Sequence, residues 1–188
     1  MKTLNNLNKT KIFFLAIAAV SITSCNNDDD PVNEEEVITT VTTTLTNGAT
    51  TITLTSRDLD GDGPNDPLVT VSGNLTANTV YNGETTFLNE LDTPAQDITV
   101  EVEEEGEEHQ VFYQIPSALG TIGYTDFDLN AKPVGLTFTY TTGNSGTGNL
   151  TVTLRHLPNK LAAGVAAGDI TNAGGATDAQ VTYPIVIN

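Results

Sequence analysis

An apolar side chain at every second position, with threonine between, is the pattern that most limits how this chain can fold. Val37, Val41 and Leu45 alternate with threonines, as do Ile52 and Leu54. Val69 and Val71, then Ile98, Val100 and Val102, then Val111, Tyr113 and Ile115 continue the series. Leu136, Phe138 and Tyr140, then Leu150, Val152 and Leu154, then Val181, Tyr183, Ile185 and Ile187 complete it. Successive side chains of a strand point to opposite faces, so this period of two marks strands with one buried and one wet face. Threonine on the wet face favours extended backbone and stays soluble. Beyond residue 36 no stretch of helical length shows a clear 3.6-residue apolar period, and the chain reads as all-β.

The turn residues predict how these strands connect. Asn82-Gly83 is the preferred dipeptide of a two-residue hairpin, Glu105-Gly106 joins expected strands at 97–104 and 108–115, and Gly143-Asn144-Ser145-Gly146 turns the next pair. Pro184 lacks an N–H, which places the last strand at a sheet edge or marks a bulge in it. The Gly- and Ala-rich segment 158–179 is longer than an ordinary loop and is expected to hold a short helical turn. Short strands without helices between them predict an immunoglobulin-like antiparallel β-sandwich of about seven to nine strands.

The N-terminus has a different composition. Residues 1–24 begin with Lys2, Lys9 and Lys11, continue through a short apolar run from Ile12 to Val20, and end in small residues before Cys25, the only cysteine. This is the layout of a secretory signal, and its apolar run is too short to span a bilayer. Ile22-Thr23-Ser24-Cys25 resembles a bacterial lipobox, which implies cleavage before Cys25 and lipidation of its thiol. The acidic Asp28-Asp29-Asp30 that follows resembles the surface-export signal of Bacteroidota lipoproteins and implies the outer face of the outer membrane. Residues 25–36 are then the lipidated cysteine and an acidic, disordered tether, and 37–188 a single β-sandwich domain. The membrane is the expected partner through that lipid, because buried acyl chains rather than a helix do the anchoring.

Charge narrows the partners further. Loss of residues 1–24 leaves 164 residues with four cations (Arg57, Lys132, Arg155 and Lys160) against 24 carboxylates, a net charge of −20. Four scattered cations cannot neutralise a phosphate track, so no nucleic-acid partner is expected, and docking on anionic lipid is disfavoured too. With Cys25 lipidated no thiol remains for a disulfide or a thiolate zinc site.

Asp58-Leu59-Asp60-Gly61-Asp62-Gly63-Pro64-Asn65-Asp66 is the sharpest local motif. Alternating carboxylates with glycines between them bring hard oxygens round one point, as Ca²⁺ requires. The run resembles the loops of EF-hand-like and thrombospondin-type calcium repeats. That resemblance implies Asp58, Asp60, Asp62 and Asp66 as metal ligands, with Val69 standing where the bidentate glutamate would be. The same residues also suit an Asx-turn connector. Glu101, Glu103, Glu104, Glu105, Glu107 and Glu108 are expected to form a solvated hairpin tip. His109 and His156, the only histidines, are expected at the surface or in turns, with the acidic tip raising the pKa of His109. Two histidines leave little scope for a transition-metal cluster.

No nucleophile, base and orienting group can be assembled, so no catalytic residue is expected. Without Trp, and with Tyr81, Tyr113, Tyr140 and Tyr183 in strand rows, a sugar platform is a weaker expectation. It would need a recess near 156–178. As a whole the chain resembles a family of small acidic Bacteroidota lipoproteins of undefined function, through its lipobox, the loop at 58–66 and Gly168-Asp169-Ile170-Thr171-Asn172-Ala173-Gly174-Gly175. The expected role is a non-enzymatic binding or structural accessory module at the cell surface, its protein or glycan partner unknown; the alternative is a soluble-ligand or glycan-binding lipoprotein of an uptake system.

Overall fold

The computed structural model describes residues 36–61 and 63–188; the signal-like segment, Cys25, the tether up to residue 35 and Asp62 lie outside the described residues. Ten strands follow in order: β1 (Thr40–Asn47), β2 (Thr50–Arg57), β3 (Leu68–Val71), β4 (Val80–Asn89), β5 (Gln96–Asp97), β6 (His109–Gln114), β7 (Gly120–Tyr124), β8 (Thr137–Thr142), β9 (Gly146–His156) and β10 (Ala176–Ile187). A single α-helix among the described residues, α1 (Ile98–Glu104), lies between β5 and β6. One sheet runs β3-β2-β1-β4-β8-β7, with β5 paired to β4, and the other runs β10-β9-β6. All the pairings between these strands are antiparallel.

The period-two rows build the core directly. Val41, Leu45, Leu54, Phe87, Phe138 and Tyr140 of the large sheet pack against Val111, Tyr113, Leu150, Val152, Leu154, Tyr183, Ile185 and Ile187 of the small one. Buried tyrosine hydroxyls stitch the layers. The Tyr183 hydroxyl donates to the Val41 carbonyl at 2.8 Å, and the Tyr113 hydroxyl lies 2.6 Å from the Gly135 carbonyl. The expected all-β antiparallel sandwich is the observed fold, and Pro184 sits in β10, an edge strand, where its missing N–H removes no central ladder bond.

Three local expectations are corrected. Residues 98–104 form a helix instead of a strand, so Glu105-Gly106 closes no hairpin. Ile98 and Val102 are buried while Val100 is 50% exposed, because a spacing of four satisfies one helix face as well as one strand face. Asp97 caps the helix by accepting from Thr99 N, and glutamate-rich sequence favours helix over strand. Asn82-Gly83 lies inside β4, where Gly83 stands opposite Leu45 on one side and Phe138 on the other. A side chain there would collide with the Phe138 ring, so this glycine serves close packing and not a turn. Gly143 to Ser145 carry the chain from β8 in one sheet to β9 in the other, a crossover between layers.

The long segment after β9 contains two 3₁₀ turns, Val165–Ala167 and Ile170–Asn172. It lies over the outer face of β6, where Val165 and Ala173 enclose Phe112 in a small second core and Gln110 Nε2 donates to the Val165 carbonyl at 2.9 Å. Both faces of β6 are therefore buried.

Candidate functional site

At one end of the small sheet the inward rows finish in histidine. His156 continues Leu150, Val152 and Leu154 along β9, and His109 begins the row of Val111 and Tyr113 along β6. Antiparallel register sets the two directly opposite each other, with ring centroids 4.7 Å apart. His109 is 0% and His156 8% exposed, which corrects the expectation that they lie at the surface or in turns. The interleaved apolar row is the signal that places them inside, since residues two apart share a face.

Two carboxylates complete the group. The pairing of β10 with β9 shifts between Thr177 and Ala179, so Asp178 is the extra residue of a bulge. Bulges re-aim side chains, and the Asp178 side chain is fully buried with Oδ2 at 4.0 Å from both His109 Nε2 and His156 Nδ1. Glu36, four residues before β1, brings Oε1 to 3.0 Å from His109 Nε2 with its side chain 6% exposed. Glu36, expected as the last residue of a solvated tether, is packed into the sandwich.

The protonation pattern follows from the partners. His109 Nδ1 lies 3.2 Å from the Glu105 carbonyl, which can only accept, so Nδ1 carries a proton and Nε2 faces the carboxylates. Burial alone would lower the His109 pKa, but Glu36, the Glu105 carbonyl and Asp178 outweigh it and the net direction is up. The expected direction therefore holds, with Glu36 as the main positive cause in place of the acidic tip. His156 points Nδ1 inward and Nε2 outward, 3.8 Å from Glu108 Oε2. Glu36 Oε2, His109 Nε2 and His156 Nδ1 are buried and make no hydrogen bond among the described residues.

Asp58, Asp60 and Asp66, singled out in the run 58–66, lie elsewhere. Asp58 Oδ1 accepts from the backbone N–H groups of Asp60 at 3.2 Å and Gly61 at 2.9 Å, and Asn65 Nδ2 donates to Asp60 Oδ2 at 2.5 Å. Asp60 and Asp66 are exposed on this turn, and Asp62 falls outside the described residues. Glu103, Glu104, Glu105, Glu107 and Glu108 are solvated as expected, on α1 and the turn after it, whereas Glu101, expected with them, is half-buried on α1. They border an open cleft of about 660 Å³ that also takes in Glu84, Asp126, Phe127 and Leu129.

No protein-family model, curated protein or solved structure matches this chain.

Proposed function

We propose that the protein is a non-enzymatic, lipid-anchored β-sandwich of the cell envelope, acting at the outer membrane surface as a binding or structural accessory module. The observation that carries this reading is the interval between Cys25 and Glu36. The lipidation motif stands eleven residues ahead of a side chain already packed into the domain. An acidic linker of that length holds a domain roughly 20 Å from its anchor, at about 5–6 Å × √n.

The test is to express the full chain in a bacterial host with lipoprotein processing and to analyse its N-terminal peptide by mass spectrometry. Diacylated Cys25, membrane partition lost in Cys25→Ser, and removal of the domain by protease added to intact cells are the expected results. An unmodified Cys25 thiol in the secreted chain overturns the anchor, and resistance on intact cells overturns surface display. The Ca²⁺ expected at Asp58, Asp60, Asp62 and Asp66 belongs to the same reading as a weak ligand of a surface loop, with affinity on the order of 10⁻⁴ to 10⁻³ M. Calorimetric titration should show saturable heat that Asp60→Asn abolishes; a flat trace reduces the loop to an Asx turn.

A second reading, capture of a soluble or glycan ligand, is favoured by the cleft beside α1. Phe127, 57% exposed, offers an aromatic face among carboxylates that can accept from hydroxyl groups. Binding on a glycan array that Phe127→Ala removes would support it, and a blank array would leave the accessory-module reading.

A further inference from the structure

The buried group at the end of the small sheet has no part in anchoring or in the cleft. Its four side chains come from separate segments: the approach to β1, the first residue of β6, the last of β9 and the bulge of β10. One donor atom from each of Glu36, His109, His156 and Asp178 lies within 4.8 Å of the others. Side-chain exposure is 6%, 0%, 10% and 0% in that order, so water cannot screen the two carboxylates.

We propose that Glu36, His109, His156 and Asp178 form a closed binding site for a transition-metal dication of the zinc class. Two imidazole nitrogens with two carboxylate oxygens are a borderline donor set, whereas Ca²⁺ and Mg²⁺ take oxygen shells of six or more. Tetrahedral zinc with bonds of about 2.0–2.2 Å sets its ligand atoms about 3.4 Å apart. Three of the six separations, 3.0, 4.0 and 4.0 Å, straddle that edge, and all lie within 4.8 Å. His109 has the outer-shell arrangement typical of a ligand: Nδ1–H is held by the Glu105 carbonyl, which orients Nε2 toward Glu36 and Asp178. His156 Nδ1 is buried, makes no hydrogen bond among the described residues and lies 4.0 Å from Asp178 Oδ2. Four protein donors leave no open coordination position, so the ion is structural and fastens the entry of the chain to all three strands of the small sheet.

The full chain, stripped with a chelator and dialysed, is titrated with Zn²⁺ and Co²⁺. One equivalent should bind, with the intense visible absorption of four-coordinate Co²⁺ and a melting temperature that rises with Zn²⁺ concentration. Zinc addition should shift the side-chain resonances of both histidines. Asp178→Asn and His156→Gln should each weaken binding by more than about 100-fold, beyond the 10–100-fold cost of losing an outer-shell partner. Asp60→Asn should leave zinc affinity and the cobalt spectrum unchanged. Should the core variants fail to fold, the wild-type cobalt spectrum and histidine shifts decide. A folded wild-type chain that takes up neither ion overturns the site, as does zinc binding that leaves both histidine resonances unmoved.

Discussion

Lys160 shows how much one residue can hold. It is 6% exposed, and its ammonium donates to the Gly106 carbonyl, to Asp128 Oδ2 at 2.9 Å and to the Pro133 carbonyl at 2.9 Å, so all three protons are used. The contact clips the long segment after β9 to the turn after α1 and to the loop before β8. Lys160→Met keeps most of the volume but leaves Asp128 and two carbonyls without their donor, and should cost about 3 kcal/mol, measured by urea unfolding. Burial alone would raise the Asp128 pKa, yet the Lys132 N–H, the Lys160 ammonium and the Asn130 N–H hold it below the ordinary 3.8. A carboxyl depressed in the folded state stabilises fully above its unfolded value and loses that contribution as pH falls through the folded one. Lys160 itself is lowered, chiefly by burial and against the pull of Asp128, so its own burial cost is present at neutral pH, is relieved as pH rises through the lowered folded value and is gone above its ordinary 10.5. Unfolding free energy should therefore fall below about pH 4 with a slope that Asp128→Asn reduces; an unchanged slope would remove Asp128 from the account. Nothing near Lys160 in sequence announces this role, because its acceptors lie 54, 32 and 27 residues away. The histidines are more legible, since each ends an inward-facing apolar row, but Asp178 is not, because a bulge changes which side chains face inward.

At the scale of elements, α1 replaces an expected strand while keeping part of a strand's bonding. The β4–β5 ladder stops at Leu88 opposite Asp97, and Thr99 Oγ1 then accepts from Phe87 N at 2.9 Å and donates to the Phe87 carbonyl at 3.3 Å. A hydroxyl thus does for Phe87 what the next strand residue would have done. Thr99→Val keeps the shape and removes both bonds, and should cost roughly 1–3 kcal/mol by urea unfolding. Asp97→Ala, which removes the cap, should cost about 1 kcal/mol. The reverse ranking would mean that water reaches Phe87 once the hydroxyl is gone. The sequence pattern is ambiguous here for a geometric reason: Ile98 and Val102 fit both periods, and only the half-exposed Val100 separates them. Gly83 misleads for a related cause. A glycine's need for a tight turn and its need to admit a ring look alike in sequence.

For the whole molecule, charge acts on stability beyond the core. A formal −17 on 188 residues repels itself, and compaction brings those charges together. The melting temperature should rise from low to moderate NaCl concentration as screening shortens the reach of that repulsion. A flat or falling response would show that local pairs such as Arg57 with Glu90, at 2.5 Å, set the balance instead. Alternation identifies most strands and the two-layer class, since it reports which face each row turns inward. It carries no information on which strands become neighbours, so the division into a large and a three-stranded sheet is visible only in the structure.

The place of β1 in the large sheet has a mechanical side. It runs between β2 and β4, registered with eight residue pairs on one flank and seven on the other. A pull applied at Glu36 along the strand loads both ladders in shear, so the bonds must yield together, whereas an edge strand would unzip pair by pair. Force entering at Glu36 therefore meets a strand held on both flanks.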